Sequence, residues 1–156
     1  MFKVDDYIMY GRTGVCKVID ITNEKFINGE ERKYYVLSPI HNNNTIIKIP
    51  LDNTKIPMRK IISKEYVTSL INDMSSMEEL WIEDEKKRSN EFKTMLKSGK
   101  CEDLIKLISN KRHSKKLNKA DKEIIKEAER LVNEEFAIIL NISPKEVNSY
   151  ISSKKS

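Results

Sequence analysis

The chain has 156 residues, room for one ordinary domain or two small ones, and length enough to bury a core without staples. Apolar residues make up 38% of it and charged residues 34%, which excludes a disordered chain and describes a rather polar globular protein. A formal charge of +5 suits an acidic partner, but most of the positive charges are Lys, so their placement matters more than their sum.

No apolar run approaches membrane-spanning length, and the start MFKVDDYIMY carries neither a basic leader nor a cleavable apolar region. A cytoplasmic protein without a membrane partner is expected. Cys16 and Cys101 stand far apart, with no CxxC and no neighbouring His, which predicts two buried thiols and no metal site.

Residues 1 to 50 read as strands. DYIMY, GVCKVIDI, KYYVLSP and TIIKIP are short runs rich in β-branched and aromatic residues. Gly11 and Gly14, Asn28-Gly29 and Asn42-Asn43-Asn44 supply the turns between them. Four or five short strands with tight turns predict a small Tudor-like or SH3-like barrel. LDNTKIPMRKII then bridges to a helical regime, with the boundary near residues 51 to 62, dividing 1–58 from 59–156.

Beyond Ser63 helix signals recur. Ser63 caps a helix to about Met74, with Tyr66, Val67, Leu70, Ile71 and Met74 on one face. A long second helix is predicted from about Met77 to Lys97, ended by Gly99 at the left-handed cap. A third runs from Cys101 to His113. Asn118 caps a fourth, whose Ile124, Ile125, Ala128, Leu131, Val132, Phe136 and Ile139 form an apolar stripe. Ser143-Pro144 opens a short fifth. The predicted class is therefore α+β: an N-terminal barrel followed by an all-α bundle of about five helices.

Nothing in the sequence converges on catalysis. His41 lies in an Asn-rich turn and His113 in a Lys/Arg run, both read as solvated. GRTG is too short for a phosphate-binding loop and is read as a hairpin turn. Glu123, Glu127, Glu134 and Glu135 lie among Lys122, Lys126 and Arg130 at helical spacing, so an exposed salt-bridged face accounts for them. No catalytic residue, cofactor or metal is assigned.

In colinear order, FKVDDYIMYGRTGVCKVIDI, INGEERKYYVL, TIIKIP, MRKIIS, KSGK and LNKADKEIIKEAERLVNEE resemble the CarD/CdnL family of bacterial transcription regulators, whose N-terminal module is shared with the transcription-repair coupling factor. The resemblance implies a non-enzymatic, monomeric, nucleoid-associated regulator. Its Tudor-like module would bind the RNA polymerase β subunit, and its helices would contact promoter DNA weakly and without sequence preference at the upstream edge of the bubble, favouring the open complex. Val36, Lys48 and Pro50 fall on polymerase-contact positions of that family, and Lys25 falls where some relatives carry Arg. Read from the residues alone, Val36 is core, Pro50 ends a strand and the lysines are solvated.

Trp81, the only tryptophan, stands before the stretch Glu83 to Glu91, which lacks any apolar side chain. The family places a Trp wedge near a basic cluster, here Lys86, Lys87 and Arg88, and an apolar ring at a distorted step holds strands apart. Counted back from Ser98-Gly99, the family's Trp position falls on Glu85, so Trp81 is displaced by about one helical turn, roughly 6 Å along the axis. Two placements stay open: a core ring among Met77, Leu80, Phe92 and Met95, or a ring presented outward. Glu78, Glu79, Glu83, Asp84 and Glu85 would repel phosphates.

KRHSKKLNK, residues 111 to 119, is a second basic patch at the junction of two helices, read either as a solvated loop or as a place where Lys111, Arg112, Lys115 and Lys116 reach successive phosphates. Two alternatives are a free-standing nucleic-acid-binding protein, which would want a stacking platform that Phe2, Tyr7 and Tyr10 do not make, and a protein-only adaptor on the polymerase.

Overall fold

A computed structural model describes residues 1–42, 44–74 and 81–155. Two compact units divide it, Met1–Ile61 and Ile62–Ser156.

The first unit is an antiparallel five-stranded sheet. Its strands are β1 (Tyr7–Tyr10), β2 (Gly14–Lys25), β3 (Glu31–Pro39), β4 (Ile47–Pro50) and β5 (Met58–Lys60), in the order β4-β3-β2-β1-β5. Side chains alternate across a strand, so Cys16 and Val18 of β2 and Tyr35 and Leu37 of β3 enter one core with Ile8 and Tyr10. A bulge between Val18 and Asp20 adds one residue, which shifts the inward set on β2 from even to odd numbers. Ile21 therefore packs against the core, and Ile19 is left 40% exposed.

GRTG forms a turn, as expected, but the turn is a short 3-10 element, Gly11–Thr13. Gly11 sits at φ +47°, and a Cβ there would come within 2.7 Å of Ile56 Cγ2, so only glycine fits without a shift. Its N–H donates to the Pro57 carbonyl, tying the turn to the segment that enters β5.

The sheet is open and does not close into the expected barrel. β4 and β5 lie at opposite edges and pair only with β3 and β1. The residues between them do not extend either strand. Asn53 folds them into a turn, its Oδ1 accepting the Lys55 and Ile56 N–H groups and its Nδ2 donating to the Ile56 carbonyl. Pairing of Met58–Lys60 with β1 carries the first unit past residue 58 to Ile61.

The second unit contains α1 (Lys64–Asp73), α2 (Glu85–Ser98), α3 (Cys101–Ser109), α4 (Lys119–Leu140) and α5 (Val147–Lys155). Ser63, Asp84 and Asn118 cap α1, α2 and α4, each accepting a first-turn N–H. Gly99 ends α2 at φ +67°, in the left-handed region. Ser143 and Glu146 form a capping box around Pro144 at the start of a 3-10 turn leading into α5. Phe92, Leu104, Leu107, Leu131, Phe136 and Val147 form the centre of this unit. Among the described residues no helix is long and apolar enough to cross a membrane.

Three expectations need correction here. The long second helix does not begin near Met77: Trp81 to Asp84 are non-helical and α2 starts at Glu85, while Met77, Glu78, Glu79 and Leu80 lie outside the described residues. The helix from Cys101 tightens into a 3-10 turn at Asn110–His113. Glu134 and Glu135 are not an exposed face; they are 7% and 0% exposed. Glu134 accepts from Arg130, which also bonds Glu127, and Glu135 accepts the Ile62 N–H at 3.0 Å. A carboxylate is tolerated at such depth because it gains a donor there.

Candidate functional site

The first region of interest is the β4 edge. Register places Val36 opposite both Asp20 and Lys48, and Tyr34 opposite Pro50. Val36, Lys48 and Pro50 therefore share the face of the sheet turned away from the Ile8 and Leu37 core. The strand of Val36 is flanked on both sides, and its side chain is 7% exposed. Lys48 lies on the edge strand, where its ammonium reaches across to Glu24 of β2; that hydrogen bond holds its pKa above the usual lysine value. Pro50 ends β4 with no N–H to donate. Lys25 is at the far end of β2, on the opposite register set, in a loose exposed pair with Glu31 at 3.9 Å. The structure thus brings three of the four residues to one face beside an unpaired strand edge.

The second region is built around Trp81. Its ring is half-buried, short of the full burial of Phe92 and Met95. It stacks on the His113 imidazole, centroids 4.3 Å apart at 31°, with the Arg88 guanidinium carbon 4.8 Å and the Lys116 ammonium 5.9 Å from its centroid. The indole N–H donates to Glu83 Oε1 at 3.0 Å. His113, read from sequence as solvated, is instead half-buried against this ring.

Arg88 does not belong to an exposed basic cluster. It is 4% exposed, and its guanidinium donates to Asp121 Oδ2, to the Ile82 and Glu83 carbonyls and to the Lys116 carbonyl. Asp121 is fully buried and also accepts from the Ser89 hydroxyl at 2.9 Å. Lys86 and Lys87 are exposed on the first turn of α2. Lys111 is paired with Glu129 at 2.9 Å yet its side chain remains 58% exposed. Arg112 Nε donates to the Ser109 carbonyl, and Lys115 and Lys116 are exposed.

Two features alter the electrostatics expected from sequence. The acids that follow Trp81 are engaged locally: Glu83 takes the indole N–H, Asp84 caps α2, and Glu85 accepts from Asn118 Nδ2 at 2.8 Å. Arg88 of α2 and His113 and Lys116 of the 111–116 turn, far apart in sequence, are brought to one ring, that of Trp81. The sequence reading did not single out Asp121 or Ser89. Asp121 resembles any acid placed in a helix first turn, and nothing local marks it as the partner of Arg88.

Comparison with known families gives a match over residues 2–62 to the CarD-like/TRCF RID domain, a span coinciding with the sheet unit. No curated protein matches the chain. The N-terminal unit of this chain belongs to the CarD-like/TRCF RID domain family.

Proposed function

We propose that this chain is a non-catalytic transcription regulator that docks on the β subunit of RNA polymerase through the β4 edge and steadies the open promoter complex with its helical unit. The carrying observation is the RID-family match over the one unit that offers an unpaired strand edge, for that domain family points to RNA polymerase interaction and transcription regulation. An edge strand leaves main-chain N–H and C=O groups able to extend a partner's sheet, and Lys48 beside it offers a cation to fix register. Pro50 limits how far such pairing can run.

On the helical unit, Trp81 and the exposed Lys86, Lys87, Lys115 and Lys116 form the surface we assign to DNA, with Lys111 and Arg112 at its margin. Lysines meet phosphates without reading sequence, and a ring held at the edge of the unit suits a distorted base step. Because tethering raises local concentration, weak DNA affinity suffices. The open state is favoured by the difference in affinity between open and closed complexes, and by no more.

The test is the lifetime of open complexes formed by purified polymerase, challenged with competitor, with and without this protein. A longer lifetime with the native chain that is lost in Trp81→Ala supports the reading. Retained polymerase binding with no change in lifetime would make the chain a protein-only adaptor, and DNA binding without polymerase binding a free-standing nucleic-acid-binding protein.

A further inference from the structure

Arg88 spends its donors inward. Nε holds Asp121 at 3.0 Å, Nη1 holds the Ile82 carbonyl at 3.0 Å and the Glu83 carbonyl at 3.4 Å, and Nη2 reaches the Lys116 carbonyl at 3.5 Å. One planar group thereby joins three pieces of chain: the non-helical residues that carry Trp81, the turn that carries His113 and Lys116, and the first turn of α4. Its guanidinium carbon also lies 4.8 Å from the Trp81 centroid, over the ring. Asp121 is fixed in turn by Ser89 Oγ, and its N–H is capped by Asn118, whose amide reaches Glu85.

We propose that Arg88, set by Asp121, is a positioning residue: it fixes the Trp81 ring against His113 and so joins the two cationic segments into one surface. This rests on the reading that Trp81 meets DNA. A lysine could keep the charge, but its three donors sit on one nitrogen and cannot span the carboxylate and the three carbonyl groups that the planar fork reaches from three nitrogens. The ring of Trp81 would then be free to leave His113.

The alternative is that Arg88 and Asp121 matter only through charge and fold stability. The two ideas diverge for Asp121→Asn, which removes a negative charge near cationic side chains. Field effects alone predict tighter DNA association from that change, whereas loss of positioning predicts weaker association.

Because Trp81 is the only tryptophan, its fluorescence reports this ring alone. The experiment measures acrylamide quenching in the free full-length chain, and open-complex lifetime, for native protein, Arg88→Lys, Asp121→Asn, Trp81→Ala and Trp81→Ala/Arg88→Lys. Positioning predicts stronger quenching in Arg88→Lys and Asp121→Asn, and a shorter lifetime in both. It also predicts that Arg88→Lys changes lifetime by less than about twofold in the Trp81→Ala background, the limit within which independent effects are usually resolved.

Equal shortening by Arg88→Lys with and without Trp81, or quenching unchanged from the native chain, overturns the proposal. A Trp81→Ala chain with native lifetime would overturn the DNA reading instead, and the quenching result would still decide the positioning. Should Arg88→Lys not fold, Ser89→Ala removes one bond from Asp121 and leaves the ion pair; increased quenching there supports the proposal and native quenching overturns it.

Discussion

Replacing Arg88 by Met should be among the costliest single changes in the helical unit. The side chains of Arg88 and Asp121 are 4% and 0% exposed, so neither charge has water to fall back on. Without the guanidinium, the Asp121 carboxylate keeps only Ser89 as a side-chain donor among the described residues, and removing one partner of a buried pair costs about 3–5 kcal/mol. With a urea slope of roughly 1.5 kcal/mol per M for a small domain, the unfolding midpoint should fall by about 2–3 M. Far-UV circular dichroism across a urea titration reads this directly. Arg88→Met combined with Asp121→Leu should recover most of the loss, because the uncompensated buried charge is then gone. A single-variant loss below about 1 kcal/mol, the range of a solvent-exposed pair, would refute the reasoning, since it would mean that water reaches the pair.

Trp81→Ala should cost clearly less stability than Phe92→Ala in the same titration, since Phe92 is fully buried and Trp81 is not; a buried Phe→Ala change costs about 3–5 kcal/mol. The Lys3 N–H donates to Asp6 and, with the neighbouring Lys60 ammonium, holds the Asp6 carboxyl below its ordinary value. A lowered folded-state pKa contributes stability above the ordinary carboxylate range and loses it as pH falls through the lowered value; acid unfolding of the sheet unit should therefore be less steep in Asp6→Asn, as measured by a pH titration. Binding of a duplex fragment should weaken with salt, and Lys115→Gln/Lys116→Gln should reduce the log–log slope by about 1.8, two phosphate contacts at about 0.9 each. An unchanged slope would remove these lysines from the phosphate contacts.

Local signals proved readable where the physics is local. The caps at Ser63, Asn118 and Gly99 and the Ser143-Pro144 start act over three or four residues, and each stands where the sequence pattern places it. The alternation that predicts strands also predicts their order along the chain, but whether a sheet closes depends on how its first and last strands meet. No short window contains that information, and the sheet here stays open between β4 and β5.

The site was less legible for the same reason. From Glu83 to Glu91 no side chain is apolar, yet Arg88 within the run is buried by a partner 33 positions away. That pairing, with the carbonyl groups of Ile82 and Glu83, also accounts for why α2 begins later than its composition suggests: those carbonyls accept from a side chain instead of from the N–H groups of a following helical turn. Glu135 shows the converse, an acid at a surface-like spacing drawn inward by the Ile62 N–H.

The central claim is that the β4 edge pairs with the polymerase β subunit, and amide hydrogen exchange of the full chain, alone and with purified β subunit, tests it most directly. Pairing predicts binding together with new protection of the outward amides among Ile47, Lys48 and Ile49, while β1 and β2 exchange as before. Absence of binding at low salt, or binding with no added protection on β4, would contradict it.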